Sequence, residues 1–286
     1  MSGFLEIVIL LSAPLVLAAA GELLLERSGS IQIGVEGTML IGAFVTFGVG
    51  LRGTAPEAAL LAAGVAGALA GALFAVFAVW RRADPILVGT TWNLMALGAT
   101  AYAYRLVAGQ TGSVLQIHTL KKSALLIPWP VLLAFAVPVA LHALLRFTRP
   151  GLFIVAAGET PHAVTAQGLS VVAIRTWCST VSGVTSAVAG GLLIVTVSPT
   201  FVEGITAGRG FLALALVVFS RWSPLRLIPA ALLIGGATAF QYRLQATGGT
   251  VPYAFFLALP GLLSLVALAL SSSKDRAPKA LGTPAP

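Results

Sequence analysis

The chain has 286 residues, of which 58% are hydrophobic and only 9% charged, with a formal net charge of +8 and a mean hydropathy of +0.98. A soluble domain carries roughly 25% charged residues, so the composition excludes a soluble fold and indicates an integral membrane protein. The basic excess is no sign of nucleic-acid binding, because Lys and Arg sit in short gaps between apolar runs, where they set topology. The single cysteine, Cys178, excludes an intramolecular disulfide.

The first apolar run covers 4–20. Ala18-Ala19-Ala20 resembles a cleavage site, but no Lys or Arg precedes Arg27, so the run is read as a retained helix. The break Arg27-Ser28-Gly29-Ser30 follows, and the apolar pattern restarts at Ile31. Three of the chain's 9 acidic residues, Glu22, Glu26 and Glu36, lie in this stretch. It reads in two ways: a broken helix that places polar groups at membrane depth, or a plain loop with Glu36 capping the next helix. Further spans are expected at 31–50, 56–80, 86–107, 125–145, 172–197, 227–246 and 251–271. The run 209–220 is too short to cross alone and predicts half of a broken or re-entrant helix. The fold class is an all-α polytopic transmembrane bundle of about 8–10 segments. A membrane domain covers 1–272, and a polar, proline-bearing tail at 273–286 is expected to be disordered. With the 146–175 loop inside, 11 of the 17 basic residues fall inside, and Arg52, Arg105, Lys121, Lys122, Arg209 and Arg243 fall outside. The N-terminus is then external and the C-terminus internal.

Several features carry polar chemistry. Gly64, Gly67 and Gly71 give the third segment a small-residue face for close helix packing. Thr90, Thr91, Trp92 and Asn93 cluster in the fourth; they line a watery path or join helices by hydrogen bonds. Glu203 and Arg209 lie six apart beside glycines, spaced either for an ion pair or for ligand contact. Val35-Glu36-Gly37 recurs as Val202-Glu203-Gly204, a hint of two related halves. In the 146–175 loop, Thr160 and Pro161 are N-cap and N1 signals, His162–Gln167 form a short helix, and Gly168 ends it. That helix either docks into a groove on another protein or lies on the membrane. No catalytic residue grouping, metal site or cofactor motif is present. No G-x-x-x-x-G-K-[ST] phosphate loop occurs, so ATP energy would have to come from a partner.

ERSGSIQIGVEGTMLIGAF (26–44), GTTWNLMALG (89–98), AAGETPHAVTAQGLSV (156–171) and FVEGITAGRGFLALALVVFSRWSPL (201–225) together resemble permease subunits of bacterial ABC importers for nucleosides and simple sugars. The resemblance covers residues 20–230. It implies a type II importer-like permease in the inner membrane, itself non-catalytic and surrounded by lipid. It also implies a second homologous permease as heterodimer partner, ABC ATPase subunits below and an extracytoplasmic substrate-binding lipoprotein above. Gly158, Glu159, Thr160, Pro161, His162 and Gly168 match the segment that couples to the ATPase. Glu36 and Asn93 match polar positions near the substrate path; Trp92, Thr90, Glu203 and Arg209 join them as candidates from the residue reading. The chain departs from the family at Ile154 and Val155, where a basic residue is frequent, and at His162, where Arg is frequent. The rival reading is a secondary transporter acting alone on an ion gradient, with Glu36 and Glu203 as coupling carboxylates.

Overall fold

A computed structural model describes residues 2–109, 115–120, 127–246 and 277–284. Among them ten α-helices follow in order: α1 (Ser2–Arg27), α2 (Val35–Gly50), α3 (Pro56–Ala75), α4 (Pro85–Ala108), α5 (Trp129–Phe147), α6 (Arg149–Glu159), α7 (Pro161–Ala166), α8 (Val171–Leu192), α9 (Arg209–Phe219) and α10 (Pro224–Ala246). α3 and α8 each continue for one wider π-helical turn, through Trp80 and Val197. Five stretches are long and apolar enough to cross a membrane: Gly3–Arg27, Pro56–Trp80, Trp129–Phe147, Val171–Val197 and Pro224–Gln245. The expected span at 251–271 lies outside the described residues.

α8 is the axis. α1, α2 and α3 pack along it, α10 and α5 pack on α1, α4 packs on α2, and α9 wedges between α1 and α2. Small residues let these backbones approach. The Ser179 hydroxyl donates to the Gly71 carbonyl at 2.7 Å, and a Cβ at Gly67 would collide with the Gly183 carbonyl. Gly42 meets Ala187 and Gly190 meets Met39 in the same way across α2 and α8. With lipid outside there is no hydrophobic drive between helices, so this close packing supplies the cohesion. The outward faces of α3 and α4 carry Leu61, Leu69, Leu87 and Leu94, all exposed, as suits helices that meet lipid or another apolar surface.

Two expectations are corrected. The 146–175 loop holds more helix than one short turn: α6 precedes α7, its N-terminus capped by the Thr148 hydroxyl, which accepts from the Gly151 amide at 3.2 Å. Thr148 as N-cap with Pro150 in the first turn is a helix-start signal present in the sequence. Residues 277–284 are not a loose tail. They pack on the bundle, with Ala280 buried and the Ala280 amide donating to the Gly158 carbonyl at 2.8 Å. The polar run of the tail, 271–276, lies before them, and their own backbone groups find partners within the fold.

Replacing Gly67 by Leu forces α3 and α8 apart. It is expected to cost about 1–3 kcal/mol, read as a lower unfolding temperature in detergent, whereas Gly48→Leu, with open space at its Cβ, leaves it unchanged.

Candidate functional site

α9 is 11 residues long, about 16 Å, roughly half of a ~30 Å hydrocarbon core. Its C-terminal end meets the end of α1: the Trp222 indole donates to Glu26 Oε2, and Arg27 Nε and Nη2 donate to the Trp222 carbonyl at 3.1 and 2.7 Å. Its N-terminal end is therefore at mid-depth. α2 runs the other way. Gly50 at its far end lies against Ile117, and the Ile117 amide donates to the Pro199 carbonyl at 3.0 Å. The N-termini of α2 and α9 thus converge inside the membrane.

Glu36 is the joint between them. It sits in the first turn of α2, where an acid complements the helix dipole, and its carboxylate reaches the start of α9. Oε1 accepts from Thr206 Oγ1 at 2.6 Å and from the Gly208 amide at 2.8 Å; Oε2 accepts from the Gly210 amide at 2.6 Å. These donors would otherwise be unpaired helix-end groups at membrane depth. Gly210 has to be glycine, because a Cβ there would strike the Glu36 backbone. Gly208 enters α9 at φ 82°, in the left-handed region that favours glycine.

Asn93 holds the other side of the α1–α2 break. Its Oδ1 accepts from the Gly37 amide at 2.8 Å and its Nδ2 donates to the Ile33 carbonyl at 3.0 Å. Trp92 Nε1 donates to Thr38 Oγ1 at 3.0 Å. Thr90 turns back on its own helix and donates to Ile86 and Leu87 carbonyls. Behind the break, Glu22, fully buried, accepts from the Gln32 amide at 2.8 Å and from the Ser182 hydroxyl at 3.1 Å. Glu36, Asn93 and Trp92 therefore form one cluster. The Asn93 amide holds backbone on both sides of the break, and the Trp92 indole holds the Thr38 hydroxyl.

Glu203 and Arg209 do not pair. Glu203 binds Arg105 of α4 at 2.8 Å, and this hydrogen-bonded partner keeps its carboxyl below the usual range. Arg209 instead donates to the Ile205 and Thr206 carbonyls at 3.2 Å and reaches the Tyr242 hydroxyl at 3.5 Å. The Val-Glu-Gly echo is likewise no structural repeat: Glu36 lies within a helix, Glu203 in a turn before one. Arg209 and Tyr242 border a cavity of about 820 Å³ between α1, α9 and α10, with Ser198, Thr238 and Gln241 as its other polar walls. That is within the ~300–1,000 Å³ typical of small-molecule sites.

At the Arg27 end, α6 and α7 form a hairpin. Gly158 presses against the Arg27 carbonyl, and Glu159 ends α6. Thr160 is the N-cap residue by position but its side chain caps nothing; Pro161 is at N1. Val164 is buried among Ala75, Val79, Ala157 and Val171. His162, Ala163, Thr165 and Gln167 are exposed, and Gly168 leaves the helix at φ 79°. Ile154, in place of a basic residue, is buried in the main core. Among the described residues no three His, Cys, Asp or Glu side chains gather as metal ligands.

Residues 4–268 match the model of the branched-chain amino acid transport system permease component family. The chain belongs to this permease family. It is similar to the guanosine ABC transporter permease protein NupQ of Bacillus subtilis, 34% identical over 96% of this chain and 93% of that protein. It is similar to the nucleoside ABC transporter permease protein NupC of Lactococcus lactis, 33% identical over 95% of this chain and 92% of that protein. A glucose ABC transporter permease protein of Haloferax volcanii is 25% identical over 81% of this chain and 68% of its own length. This permease is thus a multi-pass protein of the inner membrane and a component of an ABC transporter. Of the side chains that hold this junction, the sequence singled out Glu36 and Asn93 but not Thr206 and Trp222.

Glu36→Ala strands the donors at the start of α9. Since a hydrogen bond to a charged group is worth about 1.5–3 kcal/mol, stability should fall by at least that much. Asn93→Leu should also lower the yield of folded protein; a folded, fully stable Asn93→Leu variant with reduced uptake would instead place Asn93 on the solute path.

Proposed function

We propose that this permease forms the membrane passage of an ATP-driven importer for nucleosides, with ATP hydrolysed in a separate ABC ATPase subunit and solute delivered by an extracytoplasmic binding protein. The observation that carries this is the near full-length likeness to two nucleoside permeases, at 34% and 33% identity. The passage forms with a second homologous permease, in a heterodimer. The solute meets the cavity lined by Arg209, Gln241 and Tyr242. There a guanidinium, an amide and a phenol offer hydrogen bonds and an aromatic face to a flat, polar base.

The α6–α7 hairpin is the ATPase-facing element. Val164 anchors it to α3 and α8, while its exposed face, His162, Ala163, Thr165 and Gln167, is small and carries no fixed charge. Closure of the ATPases would move this hairpin, and through it the half-helices joined at Glu36. The rival secondary transporter is less well supported: Glu36 is committed to three hydrogen bonds and Glu203 to an ion pair.

The permease should co-purify with an ATPase subunit, and vesicles should accumulate nucleoside only with ATP inside the nucleotide compartment. Accumulation by the lone chain without nucleotide would overturn the proposal. In the assembled transporter, Pro161→Gly should lower uptake per ATP hydrolysed by about fivefold or more, with ATP hydrolysis persisting.

A further inference from the structure

We propose that residues 277–284 are a coupling strap, which with Arg175 forms the joint that passes movement of the α6–α7 hairpin to the α1–α2 break. This rests on the reading of the hairpin as the ATPase-facing element.

The strap lies in the angle between three elements. The Ala280 amide donates to the Gly158 carbonyl at 2.8 Å, at the end of α6, and the Gly282 amide donates to the Gly29 carbonyl at 3.1 Å, in the break. Pro278 and Ala280 are buried, and Leu281 packs against the main core. Arg175, in the first turns of α8, rivets the assembly: Nε donates to the Ser28 carbonyl at 3.0 Å and Nη1 to the Thr283 carbonyl at 2.6 Å. Its exposure is 2%, and among the described residues no carboxylate lies within ion-pair distance of it. A guanidinium stays charged in a protein, so when buried it depends on the carbonyls around it. Nη2 already has no partner. Without Thr283, Nη1 loses its acceptor as well.

The geometry suits transmission because no flexible side chain separates the parts. A Cβ at Gly158 would collide with the Arg27 carbonyl, and one at Gly29, where φ is 91°, would crowd Arg175 and Gly158. Backbone therefore bears on backbone at the hairpin, the strap and the break. From Gly29 the chain continues to Gln32, held by Glu22, to Ile33, held by Asn93, and to Glu36 of α2, whose carboxylate binds the start of α9. A shift of Gly158 thus has a stiff route to the mid-membrane junction.

The test uses the reconstituted transporter with its ATPase, second permease and binding protein. In the intact chain, the Ala280 and Gly282 amides should exchange hydrogen at least about tenfold more slowly than in a free peptide of 277–284; exchange at the peptide's rate would overturn the strap. A transporter assembled with a permease chain ending at residue 276 should still hydrolyse ATP in its ATPase subunits but transport at least about fivefold less nucleoside per ATP, and excess 277–284 peptide should restore the ratio. An unchanged ratio would overturn the proposal. Arg175→Lys in the full chain keeps the charge but loses the fork to two carbonyls. It should show the same uncoupling, which covers the case in which the shortened chain does not assemble; full coupling in this variant would overturn the joint. If Pro161→Gly uncouples and neither strap variant does, the strap alone fails. If none of the three uncouples, the hairpin reading fails with it.

Discussion

A half-length helix inside a membrane leaves amides with no water and no helical partner. The Glu36 carboxylate resolves this for α9 by accepting from Thr206, Gly208 and Gly210. Because Glu36 is itself in the first turn of α2, one side chain serves two helix starts that point away from each other. Two positive helix ends meeting at mid-depth would repel without a negative charge between them. The carboxylate supplies it. Much of the surrounding structure follows from keeping that joint in place. Asn93 ties the chain before and after Gly34, Glu22 holds Gln32 from behind, and Glu26 and Arg27 fasten the far end of α9 through Trp222.

This arrangement concentrates polar chemistry in the wall of the bundle. Apolar helix faces held by glycine and serine contacts around α8 supply a rigid frame. The broken elements, 28–34 and 198–208, are tethered to it at discrete hydrogen bonds. Such tethers break and re-form as units, which is what a two-position gate requires. Arg209, Tyr242 and Thr238 share one cavity. A division of labour results: carboxylates and the asparagine shape the junction, and the Arg209 guanidinium and Tyr242 phenol line the cavity.

The end of the molecule bearing Arg27, Gly158, Arg175 and Ala280 has a different character. Its joints to α6 and the strap are backbone to backbone or guanidinium to carbonyl, beside the indole–carboxylate bond of Trp222 and Glu26. The exposed face of α7 is small and uncharged.

Much of the architecture was legible in the chain itself. Hydropathy fixes where helices run, because each span must satisfy its own backbone in lipid. The glycine spacing of α3 announced its close partner. The break at 27–30 and the short run at 209–220 marked the two half-elements. Pairing was not legible. Glu203 and Arg209 are near in sequence, yet Glu203 meets Arg105, 98 positions away. Glu36 finds donors 170 to 174 positions on, and Asn93 spends its amide on the chain between 33 and 37. The 277–284 segment, with two prolines, a glycine and no helical or strand periodicity, shows no partner in its own sequence; its backbone amides find carbonyls on distant elements. Local pattern sets which groups need partners; only the folded bundle, by bringing distant backbone within hydrogen-bond reach, decides which partners they get.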